Sequence, residues 1–241
     1  MTVIRLIDKT GDAAICAALA PMASCIGIQC RGEVKRVWNL DDTAILTGEG
    51  FQDGEWPAFI VQTLDDPQAL AYHDEENGYP ALYVGRDVIL NNGGTIMRGS
   101  NSISAAFSHE VLEALEDEFC DFYADWRDGT NLVALEICDP VEDGSYEISD
   151  GASIVTVSNF VHPEWFRLGA SRRKYDHLGM LTAPLTLSPG GYVALRSGEQ
   201  IFGKQMPEWR REAKRASSRR KRARHAAVRR LCILPEGTSE G

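Results

Sequence analysis

Ser102-Ile103-Ser104-Ala105-Ala106-Phe107-Ser108-His109-Glu110-Val111-Leu112-Glu113-Ala114-Leu115-Glu116-Asp117-Glu118-Phe119-Cys120 reads as one long helix, and its place in the chain decides the fold class. Ile103, Phe107, Val111 and Leu115, continued by Phe122, recur at helical spacing and form an apolar stripe. His109 and Glu113 fall on nearly the opposite side, a face left for solvent or for the floor of a cleft. Strand-like segments precede the helix at 58–64, stopped by Asp65-Asp66-Pro67, at 69–73, and at 81–90 after the turn residues Asn77-Gly78-Tyr79-Pro80. Others follow at 132–138, 153–160 and 190–195. Sheet, long helix and further strands in that order predict an α+β fold with a small, mostly antiparallel sheet. A second helix is expected over 12–25, interrupted by Pro21, within an N-terminal helical segment 1–35.

The chain has 241 residues, 44% of them hydrophobic, enough for one substantial core. Its formal charge of −10 hides an asymmetry. Arg210 to Arg230 contains eleven Lys/Arg and one acidic residue, whereas residues 1–209 hold 14 basic and 32 acidic residues, a net of −18. The organisation expected is one α+β domain over 1–209 with a basic C-terminal tail over 210–241. The apolar stretch 13–28 is interrupted by Pro21 and preceded by Asp8, Lys9 and Asp12, so neither a membrane span nor a secretory signal is expected. That points to a cytoplasmic protein. The six cysteines form no CxxC pair, which favours buried thiols over disulfides or a zinc knuckle.

His109-Glu110-Val111-Leu112-Glu113 is an HExxE arrangement. In the HExxH form, two side chains four apart on one helix face bind zinc while the intervening Glu polarises the metal-bound water. Here the second ligand would be the Glu113 carboxylate, and Glu110 the general base. A third ligand must come from elsewhere. Asp117 lies eight residues beyond His109, roughly 12 Å along a helix axis, so it joins only if the helix ends before it. Downstream, Asp139 and Glu136 are the carboxylates on offer; strand alternation puts Asp139 on the apolar face with Leu135 and Ile137, and Glu136 in reserve. One imidazole with two carboxylates suits zinc or another divalent transition metal better than calcium. The ordinary alternative is that Glu110, Glu113, Glu116, Asp117, Glu118 and Asp121 form a solvated helix face.

The segment Ser108 to Glu113, then Ala134-Leu135-Glu136-Ile137-Cys138-Asp139-Pro140-Val141-Glu142-Asp143, then Val157-Ser158-Asn159-Phe160-Val161-His162-Pro163-Glu164-Trp165-Phe166 resembles a family of phage and prophage proteins. Ala71 to Pro80, with His73, Tyr175-Asp176 and Pro189-Gly190-Gly191-Tyr192 are similar to it as well, so the likeness covers roughly residues 58–210. It also resembles bacterial proteins in which a Ser/Thr-His-Glu-x-x-Glu helix is followed by Glu-x-x-Asp, described as zinc peptidases. The resemblance implies a zincin-like fold, a metal site at His109, Glu113, Glu136 and Asp139, and Glu110 as catalytic residue. It implies a zinc-dependent peptidase of phage or prophage origin, cytoplasmic in the host cell or virion-associated, with a protein or peptide substrate. This chain has Asp117-Glu118 where the family closes the helix with Asp-Pro.

Three other histidines need placing. His73, among acidic residues, reads either as a surface histidine or as a partner of the site; His162 reads as packed beside Trp165 and Phe166; His177 reads as a loop residue or an outlying donor. No nucleophile elbow, phosphate-binding loop or dinucleotide fingerprint is present in the sequence. In the tail, Arg219, Arg220, Lys221, Arg222 and Arg224 suit nonspecific contact with nucleic acid or with acidic protein surfaces, phage structural proteins among them. The alternative function is accordingly a virion or assembly protein that docks through this tail.

Overall fold

In the computed structural model, residues 1–76, 78–224 and 229–230 are described, with side chains as far as 216. The chain enters as a strand, β1 (Thr2–Asp8), whose Ile4 and Leu6 are buried. Asp12 then caps helix α1 (Ala13–Cys30) by accepting from the Ala14 N–H at 2.9 Å, and the helix runs through Pro21. Helix α2 (Glu33–Trp38) and strand β2 (Thr43–Thr47) complete a crossover that returns β2 parallel to β1, with Ile4 opposite Ile45. Strand β3 (Trp56–Val61) pairs parallel on the other side of β1. Strand β4 (Ala71–Glu76) turns into β5 (Tyr79–Gly85), which inserts between β3 and β4.

The sheet order is β2-β1-β3-β5-β4, and three of its four pairings are parallel; β4–β5 alone is antiparallel. The fold is α+β as expected, but the mostly antiparallel sheet is corrected to a mixed one. The cause is β1, which the sequence reading passed over: once it stands inside the sheet between β2 and β3, α1 becomes a crossover helix, and crossovers join parallel strands. The expected strand 81–90 stops at Gly85, and Arg86–Asn91 forms a short helix, α3.

Ser102 accepts from the Ala105 N–H at 3.2 Å and starts α4 (Ile103–Glu116), which ends about one turn short of the expected Cys120. Helix α1 packs on β1 and β2, α4 packs on β4 and β5, and the two helices touch. After the short pair β6 (Phe122–Asp125) and β7 (Leu132–Ala134), a hairpin of β8 (Ser145–Ser149) and β9 (Ile154–Ser158) packs against both helices. Every residue of α4 from Ile103 to Ala114 is therefore buried, so the face carrying His109 and Glu113 is not a solvated one. Strands β10 (Tyr192–Ala194) and β11 (Gln200–Phe202) precede a last helix, α5 (Glu208–Arg224).

The α1–α2 segment, Ala13–Trp38, reaches a mean hydropathy of 1.7 and is long and apolar enough to cross a membrane; 56% of that window is buried inside the fold. Cys25, Cys30, Cys120 and Cys138 are buried free thiols and Cys16 an exposed one.

Candidate metal centre

Two elements far apart in sequence build the site. Helix α4 supplies His109 and Glu113, and a single 3-10 turn over Asp139–Val141 supplies Asp139 and, one residue past it, Glu142. The expected strand 132–138 ends at Ala134, so strand alternation does not govern Asp139. The turn governs it instead. Its placement is rigid: Pro140 O accepts from the Ser188 N–H at 3.0 Å, and Gly191 lies so close behind that a Cβ there would stand 2.1 Å from Pro140 O. Only glycine permits that approach.

His109 is the hub. Its Nε2 lies 3.1 Å from Glu113 Oε1 and 3.1 Å from Asp139 Oδ1, and its Nδ1 lies 3.2 Å from Glu142 Oε2. All four side chains are buried. Yet His109 Nε2 and Asp139 Oδ1 have no partner in hydrogen-bond geometry, and Glu142 Oε2 has a close cation in Lys214 Nζ, 2.9 Å away. Buried polar atoms normally have one, and atoms that aim between one another rather than at one another suit a shared cation. Ligand atoms of His109, Asp139 and Glu142 lie within 4.8 Å of one another, as do those of His109, Glu113 and Cys138. Glu113 Oε1 also accepts from the Cys138 N–H at 3.2 Å, which ties the helix to the segment entering the turn. The donor set of one imidazole and carboxylates, with a thiol at its margin, fits a divalent transition metal.

Glu110 faces a second group. Its Oε2 is 3.1 Å from His73 Nδ1, and ligand atoms of His73, Glu110 and Glu113 lie within 4.8 Å of one another. His73 is wholly buried on β4, so the structure places it as a partner of Glu110 and not on the surface. Its Nε2 lies 3.0 Å from the carbonyl of Asp117 and 2.9 Å from Cys120 Sγ; Cys120 takes a positive φ of 53°, which a non-glycine residue rarely adopts. Asp117 follows the last helical residue, but its carboxylate accepts from the Asp121 and Phe122 N–H groups at 2.9 and 3.0 Å, so it shapes the chain reversal after α4 and does not join His109. Glu136 is buried near Glu113 and Asp117, whose carboxyls are pushed up by burial first, with the Glu136 charge adding to it; it is not among the groups that close on His109 among the described residues. His177 bonds to Glu33 of α2 and stacks on Phe160, in a separate cluster with His162 and Lys174.

Arg210 and Lys214 are the functional residues that the sequence reading missed, together with Glu142. Both lie in the first turns of the basic segment. Lys214 Nζ is 2.9 Å from Glu142 Oε2 and 3.6 Å from Asp139 Oδ1, and Arg210 Nη1 is 3.1 Å from Glu142 Oε1. The sequence signal was available in part: Ala213 and Ala216 mark a face of α5 able to approach the body, and Lys214 lies between them. Arg219, Arg220, Lys221, Arg222 and Arg224 belong to the same helix, but their side chains lie outside the described residues.

The electrostatics follow from burial and crowding. Burial draws the His109 imidazole down, but Glu113 foremost, with Glu142 and Asp139, outweighs it, and His109 is held well above its usual range. Burial, then Asp139 and Glu136, pushes Glu113 well up, and burial raises Asp139. Burial also acts against the Glu142 carboxylate, yet Lys214, His109 and Arg210 together bring it down to about 2. Glu142 is the anion that these cations neutralise. Comparison with protein-family models, with curated proteins and with solved structures finds no match to this chain.

Proposed function

We propose that this chain is a zinc-dependent peptidase of the phage HExxE type, zincin-like in architecture, in which His109, Glu113 and Asp139 hold the ion. The observation that carries this reading is the convergence of Glu113 Oε1 and Asp139 Oδ1 on His109 Nε2, each at 3.1 Å, with His109 Nε2 and Asp139 Oδ1 lacking a directional hydrogen bond. A bound divalent ion supplies a Lewis acid that polarises a carbonyl and lowers the pKa of water. Glu110, whose carboxylate lies within 4.8 Å of a Glu113 ligand atom, takes the proton of the attacking water and returns it to the leaving amine. His73 orients Glu110 through its Nδ1, as the partner of a catalytic carboxylate must. Glu136 is held back from the ligand set.

Metal analysis and protease assay test this. Purified protein should carry stoichiometric zinc, His109→Ala should lose it, and Glu110→Gln should keep it while abolishing cleavage of casein or phage-protein substrates. Absence of zinc, manganese and iron, with a melting temperature indifferent to chelator, would overturn the metal site. Metal without cleavage, and no effect of Glu110→Gln, would overturn the peptidase.

A second reading is favoured by one observation, the buried Lys214–Glu142 pair at 2.9 Å. On that reading the cluster is a staple that joins the C-terminal helix to the body of a virion or assembly protein. Stoichiometric copies in purified particles would support it; absence from particles would count against it.

A further inference from the structure

Helix α5 reaches the site through Arg210 and Lys214. A narrow pocket beside His109 is lined by Leu70, Ser102, Glu110 and Glu142, and on the α5 side by Arg210 and Lys214. Lys214 is 5% exposed, and its ammonium also lies 5.0 Å above the Tyr192 ring. Around it, Ala213 joins the main core, and Ala216 packs against Leu64, Ala69 and Tyr72 beside β4. Trp209, in the first turn of the helix, packs against the main core, and Arg210 and Lys214 add charged contacts with Glu142 and Asp139.

We infer that Lys214 is a built-in competitor for the metal and that α5 is an autoinhibitory plug: the ammonium and a divalent ion claim the same Asp139 oxygen, and the ammonium is anchored there by Glu142, so loading the site requires the helix to leave. The inference rests on the metal reading above. Its basis is geometric. Asp139 Oδ1, 3.1 Å from His109 Nε2, is 3.6 Å from Lys214 Nζ, and Glu142 Oε2, 3.2 Å from His109 Nδ1, is 2.9 Å from it. Two cations at those oxygens repel strongly where water is excluded. Lys214 is buried with Tyr192 at its ammonium, and on this inference it leaves together with the helix that carries it. Arg210, one turn earlier on the same face, leaves with it.

The test uses the full chain and zinc alone. Zinc affinity is measured by competition with a chromophoric chelator for the wild type, Lys214→Met and Ala216→Asp, and α5 is followed by hydrogen exchange. Lys214→Met keeps the length of the side chain and removes its charge; Ala216→Asp puts a charge against Leu64, Ala69 and Tyr72 and loosens the helix without touching the carboxylates, so it carries the test if the first variant fails to fold. Both variants should bind zinc about tenfold tighter or more, because the competent state is no longer a minor one. In the wild type, zinc should raise exchange in α5. Equal affinity in all three proteins, or zinc binding with α5 protection unchanged, overturns the plug and leaves the metal site standing. No zinc binding by any of them overturns both.

Discussion

His73 Nδ1 and Glu110 Oε2 stand 3.1 Å apart, one from the outer strand of the sheet and one from the helix packed on it, with His73 wholly buried and Glu110 3% exposed. The pair fixes how α4 presents its HExxE residues to the sheet. His73→Gln should lower kcat with zinc stoichiometry and KM little changed, and should cost about 1–3 kcal/mol of stability by removing a hydrogen-bond partner from a buried carboxylate. Steady-state kinetics and urea denaturation measure both. An unaltered kcat would mean that His73 does not position Glu110.

Ser108, the residue before His109, donates to Gln29 Oε1 at 2.7 Å and accepts from the Ser158 N–H at 3.0 Å; Gln29 Nε2 in turn donates to the Ser158 carbonyl at 2.8 Å. This buried network joins α1, α4 and β9. Ser108→Ala should destabilise by about 1–3 kcal/mol, a fall in Tm of roughly 2–4 °C per kcal/mol for a chain of this size. A Tm within 1 °C of the wild type, about the error of such a measurement, would show that the network adds no stability.

Gly191 lies behind the turn that carries Asp139, where a Cβ would stand 2.1 Å from Pro140 O. Backbone cannot yield as a side-chain tip does. Gly191→Ala should therefore cost about 1–3 kcal/mol and weaken zinc binding by displacing Asp139 and Glu142 together. Calorimetric titration with zinc, beside a thermal melt, reads the two effects; a destabilised protein that retains full zinc affinity would place the strain elsewhere.

Glu116, at the end of α4, is pushed up to about 8 by burial and by the neighbouring Asp117. A carboxyl raised on folding contributes fully below its unfolded value, near 4.5, and that contribution is lost as pH rises toward 8. Glu116→Gln, which cannot ionise, should thus match the wild type below about pH 4 and gain on it by about 1.4 kcal/mol for each pH unit between roughly 4.5 and 8. Urea midpoints across that range provide the check. Parallel profiles for the two proteins would mean that Glu116 titrates normally.

Local spacing determined what it could reach. The period of Ile103, Phe107 and Val111 specified a helix, Ser102 supplied its cap, and the four-residue step from His109 to Glu113 put both on one face, where they lie 3.1 Å apart. Those relations are set within a few turns of backbone, so the sequence alone contains them. The parallel part of the sheet was not legible, because the partners of β1, strands β2 and β3, lie beyond a crossover helix and local spacing does not reach them. Nor was the full surround of His109. Asp139 comes from a turn rather than a strand, Glu142 from the residue after that turn, and Lys214 from a helix whose charge pattern resembles a solvated tail. Charge patterning tells that a cationic segment will seek carboxylates; only packing, through Ala213 and Ala216, selects which cation becomes buried against which carboxylate.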